Sequence, residues 1–236
     1  MIYVLYYYSY WLLIPAFLFA LWAQIKVNST FNRSNKLFTG MTGAAAARRI
    51  LDANGLTSVR IERVSGHLTD HYDPRTNVIR LSESVYDRNT AAAVGVAAHE
   101  AGHAVQYATG YSAIRLRAAM IPVCQFGSYA AMPLFLVGMA VSYIGVTGGS
   151  LGYALMLAGI LFYSLATLFQ LVTLPVEFNA SNRAMAALEG GGTMSDGELR
   201  AARQVLSAAA MTYVAALVTS LLSLLRLILI ASGRRR

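Results

Sequence analysis

The chain has 236 residues, enough for one ordinary domain or for a small domain carried on membrane spans. Hydrophobic residues make up 56% and charged residues only 13%; a soluble domain usually carries roughly 25% charged residues, so a uniformly soluble globule is excluded. The net charge of +8 comes without a basic stripe interleaved with aromatics, which argues against nucleic acid as a partner, and the single cysteine, Cys124, rules out an intrachain disulfide or a thiolate metal cluster.

The charge is unevenly spread. Residues 1–25 and 118–176 carry no charged side chain, whereas 26–117 have the balance of a soluble domain. The first apolar run, Ile2 to Gln24, would span roughly 34 Å as a helix. It lacks the basic start and small-x-small cleavage site of a signal peptide, so it reads as a retained anchor. Tyr3, Tyr6, Tyr7, Tyr8 and Tyr10 suit a membrane interface, Pro15 is a candidate kink, and Lys26 is the expected stop. Residues 26–41 read as irregular. Thr42 caps an Ala-rich helix at about 43–54 that closes at Gly55. Strands are expected at 58–64 and 77–82, with a turn at Asp73-Pro74-Arg75-Thr76 between them, in a two- or three-stranded element.

A helix follows at about 91–109, capped by Asn89 or Thr90 and leaving at Gly110. Two apolar runs, 118–143 and 151–175, joined by the uncharged connection Gly145 to Ser150, form a helical hairpin. Ser195-Asp196-Gly197-Glu198 is a capping-box pattern, and the helical pattern from 196 runs to about 231. That is roughly 54 Å, longer than a bilayer core, so its first turns, with Arg200 and Arg203, stand outside. The expected fold is a mainly α membrane protein with about four transmembrane helices and a small α+β domain inserted after the first span. Its segments are an anchor at 1–25, the α+β domain at 26–117, a transmembrane hairpin at 118–175, a helix and loop at 176–204, and a C-terminal transmembrane helix with a basic tail at 205–236.

Residues 99–103 read His-Glu-Ala-Gly-His. Residues four apart share a helix face, so His99 and His103 can aim at one ion. Zinc held by two imidazoles and a third ligand keeps an open position, and water there is acidified toward neutrality. Glu100, beside the first ligand, can take that water's proton and pass it to a leaving amine. The flanks AAAVGVAA and AVQYA are small and apolar, so the helix is buried and its polar groups need partners. The bland alternative is a satisfied core histidine pair with Glu100 in an ion pair. Of the later acids Glu177, Glu189, Asp196 and Glu198, Glu177 is the candidate third ligand: the hairpin returns it to the membrane side of His99. Its alternative is an interfacial surface carboxylate. The other three look like solvated or capping groups.

The strings HEAGHAVQ and LPVEFNASNRA, with LTDHYDPRTNVIRLSESVY and TGAAAARRILDANGL before them, resemble the YugP-like family of bacterial membrane neutral zinc metallopeptidases, over about residues 40–187. The resemblance implies a zincin-like, gluzincin-type site: Zn2+ on His99, His103 and Glu177, with Glu100 as base. A more distant similarity runs to the HtpX and CAAX-prenyl-protease group, which has an E-F-x-A-D pattern where this chain has Glu177-Phe178-Asn179-Ala180-Ser181. In that group the Asp orients a zinc-binding histidine. Ser181 takes its place here as a weaker hydrogen-bonding partner, and Asn179 is a possible substitute. Tyr72, His71 and Tyr107 are the candidates by chemistry for stabilising an oxyanion, each with a structural reading against it.

Lys26, Arg115 and Arg117 flank spans on the side of 26–117, while the Gly145–Ser150 connection carries no charge. The positive-inside rule then puts the catalytic domain on the cytoplasmic side, and the resemblance implies a multi-pass protein of the bacterial plasma membrane. Arg226 in the last apolar stretch and Arg234, Arg235 and Arg236 run against that placement. The expected function is peptide-bond hydrolysis by a metal-activated water, in membrane protein processing or quality control, with the lipid bilayer and a protein or peptide substrate as partners. The alternative from another class is a non-enzymatic membrane scaffold or binding protein with a structural zinc. An intramembrane protease of the site-two type is disfavoured, because no Asp occurs between residues 88 and 195.

Overall fold

The structure, a computed structural model, describes residues 9–67, 69–145 and 149–233. Tyr3, Tyr6, Tyr7 and Tyr8, the middle of the 145–150 connection, and Arg234, Arg235 and Arg236 lie outside the described residues. After a 3-10 turn at Tyr10–Leu12 come α1 (Leu13–Ser34), α2 (Gly43–Ala53), β1 (Arg60–Val64), β2 (His71–Asp73), β3 (Val78–Ser82), α3 (Ala91–Ala108), α4 (Ser112–Ile144), α5 (Ser150–Gly190) and α6 (Asp196–Ser232). The chain is mainly helical. Among the described residues four helices are long and apolar enough to cross a membrane: Tyr10–Ser34, Ser112–Ile144, Ser150–Gly190 and Asp196–Ser232.

Three expectations about where helices stop or bend are corrected. Lys26 does not end the first helix, which continues to Ser34. Residues 26–34 contain no Gly or Pro, and Phe31 is buried against Ala92 and Val205, so tertiary packing favours the helix over an irregular segment. Pro15 introduces no break, because it is the third residue of α1, where its missing N–H would lack a helical partner anyway. The third apolar run does not end at 175 either. Pro175 lies inside α5, which carries on unbroken to Gly190, so Glu177 is a mid-helix residue. Pro175 forfeits one helical hydrogen bond. The turn beyond it is held by burial of Val176, Ala180, Ala184 and Met185.

The chain divides into two compact units. The first comprises Met1–Trp22, Leu116–Thr173 and Tyr213–Arg236. Its core joins Phe135, Met156, Leu227, Ile230 and Ala231. Here α4 and α5 approach at glycine: a Cβ on Gly138 would lie 2.6 Å from the Gly152 carbonyl oxygen, and one on Gly159 would lie 2.7 Å from that of Ala131. Arg226 does not face lipid uncompensated. Its Nε donates to Ser9 Oγ at 3.2 Å, and its guanidinium lies 4.0 Å from the Tyr10 ring centroid.

The second unit, Ala23–Arg115 and Leu174–Thr212, contains the sheet. The strand order is β1-β3-β2, with β3 central, parallel to β1 and antiparallel to β2. The third strand, β2, falls in the segment expected mainly as a turn. The core joins Ile50 and Leu51 of α2, Ile79 and Leu81 of β3, Val94, Ala97, Ala98 and Ala101 of α3, and Met185 and Leu188 of α5. Small side chains on α3 let these elements close around it. Thr90 Oγ1 caps α3 by accepting from the Ala93 N–H at 3.3 Å.

Candidate metal centre

The site is built on α3 and α5 within the second unit. Helical spacing places His99 and His103 on one face of α3, with ring centroids 4.7 Å apart and planes at 82°. Gly102, between them in sequence, faces α5; a Cβ there would lie 2.5 Å from the Ala180 carbonyl oxygen. That close approach brings Glu177 to the histidines. Glu177 Oε2 is 3.1 Å from His99 Nε2 and 3.5 Å from His103 Nε2, and one donor atom from each residue lies within 4.8 Å of the others.

These separations fit a metal. Tetrahedral zinc with ligand bonds of about 2.0–2.2 Å sets neighbouring donor atoms about 3.3–3.5 Å apart. The donor set, two imidazole nitrogens and a carboxylate, is also what zinc takes when one position stays open. Glu177 is 2% exposed, a burial a carboxylate tolerates only when paired. Burial works against a charged His103, but the facing Glu177 carboxylate, then Glu100 and the Gln106 side chain, hold its imidazole above the ordinary pKa. A cluster that draws a cation this way is electrostatically suited to a divalent ion.

The remaining ring nitrogens are also engaged. His99 Nδ1 is 3.1 Å from Ser181 Oγ, one turn beyond Glu177 on α5. His103 Nδ1 is 3.0 Å from Gln106 Oε1. Asn179 forms no hydrogen bond to His99; its Oδ1 accepts from Gln106 Nε2 at 3.0 Å.

Glu100, next to His99 on α3, is anchored to the sheet. Its Oε2 accepts the Tyr72 backbone N–H at 3.0 Å. Tyr72 is the middle residue of β2, and its N–H points off the sheet edge instead of into the ladder with β3. Nearby, Asp70 accepts from the Ser82 N–H at 2.7 Å and from Ser82 Oγ. Burial pushes the Asp70 carboxyl up from its ordinary value; the Ser82 bonds oppose this and the Glu100 charge adds to it. Of the oxyanion candidates, the Tyr72 hydroxyl donates to Asn77 Oδ1 at 3.0 Å, the His71 ring is at the Thr69 carbonyl at 2.8 Å, and the Tyr107 ring lies 5.8 Å from that of Tyr72.

Of the other late acids, Asp196 is exposed in the first turn of α6, and two have structural partners. Glu189 pairs with Arg203, and Glu198 forms a reciprocal capping box with Ser195. A cleft of about 550 Å³ in the same unit is lined by Arg49, Ile50, Gly102, Val105, Arg183 and Gly191, but not by His99, His103 or Glu177. The residues that sequence reasoning missed are Gln106 and the Tyr72 N–H. Gln106 had a signal, since it lies three positions from His103 on the same helix. The Tyr72 N–H had none, because it depends on how a short edge strand docks.

Comparison with known proteins gives the family. The model of a family described as "Putative neutral zinc metallopeptidase" matches residues 9–232. A relative from Bacillus subtilis (strain 168), named "Putative membrane protease YugP", is 47% identical over 221 residues, covering 93% of this chain and 94% of the relative. No solved structure matches. Zinc is the metal of the family, and four apolar helices with a His/His/Glu cluster suit a multi-pass membrane metallopeptidase. The resemblance in the motif strings thus extends to nearly the whole length, and the chain belongs to the neutral zinc metallopeptidase family.

Proposed function

We propose that this protein is a zinc-dependent endopeptidase of the gluzincin type, acting on membrane proteins or their damaged segments in processing or quality control. In this reading the segment 26–117, inserted after the first span, is a zincin-like catalytic domain. His99, His103 and Glu177 hold the zinc, and Glu100 is the general base. The carrying observation is the convergence of three donors on two helices, with two imidazole nitrogens 3.1 Å and 3.5 Å from a single carboxylate oxygen and a glutamate one residue from the first histidine. The relative's name as a membrane protease supports the same class of reaction.

When bound, zinc supplies Lewis-acid polarisation of the scissile carbonyl and acidifies water at its open position. The chain's own residues do the rest. Glu100, fixed through Oε2 by the Tyr72 N–H, keeps its other oxygen to take a proton from the attacking water and to return it to the leaving amine. Ser181 fixes the ring plane of His99 through Nδ1.

Glu100→Gln keeps the size of the side chain and removes the base. Peptide cleavage should fall by about 10²–10⁴-fold while one zinc per chain is retained. Undiminished cleavage in this variant overturns the role of Glu100, and full zinc without turnover in the unaltered protein favours the structural-zinc scaffold instead.

The catalytic segment is placed on the cytoplasmic side of a bacterial plasma membrane, supported by Lys26, Arg115 and Arg117 beside the spans and by the uncharged sequence between α4 and α5. A cysteine at the exposed Thr57, in a Cys124→Ser background, should react with an impermeant maleimide only after lysis. Labelling in intact cells reverses the orientation.

A further inference from the structure

Gln106, the partner of His103 Nδ1, is completely buried and is among the largest fully buried side chains. A buried amide must satisfy both ends. Its Oε1 meets His103 Nδ1 at 3.0 Å, and its Nε2 donates to the Val176 carbonyl at 2.8 Å and to Asn179 Oδ1 at 3.0 Å. Asn179 Oδ1 also accepts from Arg183 Nε at 2.8 Å.

The direction of this chain of bonds follows from its outer end. A guanidinium can only donate, so Asn179 must present its oxygen to Arg183. That oxygen and the Val176 carbonyl can only accept, so the amide nitrogen of Gln106 must face them. Gln106 therefore shows only its oxygen to His103, and Nδ1 must carry the hydrogen. In a neutral imidazole the lone pair is then on Nε2, the atom 3.5 Å from Glu177 Oε2. The pairing at His99 carries no such direction, because the Ser181 hydroxyl can donate or accept.

We infer that Gln106 is a positioning residue that, with its amide oriented by Asn179 and Arg183, locks His103 in the tautomer that offers Nε2 to the metal. The inference rests on the zinc reading above and deepens it.

The test uses the full-length protein in detergent, stripped of metal. Zinc affinity is read by competition with a chromogenic chelator, and ligand geometry by the visible spectrum after cobalt loading. Gln106→Met keeps length and apolar bulk but has no amide oxygen. Its zinc affinity should drop by about 10–100-fold, the usual loss for a partner behind a ligand, and its cobalt band should shift. Asn179→Asp keeps an acceptor for both Gln106 and Arg183 and should bind zinc like the unaltered protein; Asn179→Leu should bind more weakly. Unchanged affinity and spectrum in Gln106→Met overturn the inference. So does equal weakening by Asn179→Asp and Asn179→Leu, a comparison that also decides the matter if Gln106→Met does not fold. His103→Ala separates the two claims: if it leaves zinc affinity intact, the metal reading fails, not the relay alone.

Discussion

The two units of the chain solve the problem of buried polarity in opposite ways. In the first, polar side chains mostly return to their own helices: Ser128 Oγ donates to the Cys124 carbonyl at 2.8 Å and Thr167 Oγ1 to that of Tyr163 at 3.3 Å. Among the described residues, Thr167 with Ser220 at 2.7 Å and Arg226 with Ser9 at 3.2 Å link distant segments of this unit by side chains. Close contact there comes from glycine, as expected where lipid tails are as apolar as leucine and packing must drive association. In the second unit, polar groups join distant elements. Glu177, His99, His103, Gln106, Asn179, Arg183 and Ser181 tie α3 to α5. The difference teaches that backbone proximity serves packing in one unit and ligand geometry in the other, although glycine produces both.

That contrast can be broken most sharply at the glycines. Gly102→Ala places a Cβ 2.5 Å from the Ala180 carbonyl, so α3 and α5 must part. Overpacking of this kind costs about 1–3 kcal/mol, and here it should also lower zinc affinity markedly, because the ligands stand on both helices. Gly138→Ala meets a similar obstruction, 2.6 Å from the Gly152 carbonyl, and should lower the unfolding temperature by a comparable amount while zinc affinity stays near its original value. Equal loss of zinc in the two variants would erase the distinction between the units. A smaller effect is expected from Ser181→Ala, which removes the hydroxyl 3.1 Å from His99 Nδ1. Zinc affinity measured by chelator competition should fall by roughly tenfold, the low end for such partners, and less than for Gln106→Met, because a hydroxyl gives His99 no fixed tautomer to lose.

Much of the helical architecture was legible in the residues. Thr42 and Thr90 cap where hydroxyls before Ala-rich runs should cap, and Ser195 with Glu198 closes the expected box. The four apolar helices match the uncharged stretches and the long final pattern. The misjudged boundaries share one cause. Lys26 and Pro175 are local stop signals, and each was overridden by burial a few residues further on, of Phe31 in one case and of Val176 and Ala180 in the other. The strand β2 was obscured because its three residues lie inside a turn-rich string and are paired on only one side.

By itself the sequence determined the pair His99 and His103 and the neighbouring Glu100, because a spacing of four on a helix is fixed by backbone geometry alone. It also determined the membrane character, because long uncharged runs have few alternatives to spanning a bilayer. Only the tertiary structure decided that Glu177, 78 positions from His99, reaches both histidines, that the Tyr72 N–H holds Glu100, and that Gln106 faces His103 with its oxygen. Those outcomes depend on how closely α3 meets α5 and on where the edge of a short sheet docks. No local pattern encodes such distances, because they are set by the packing of the whole unit.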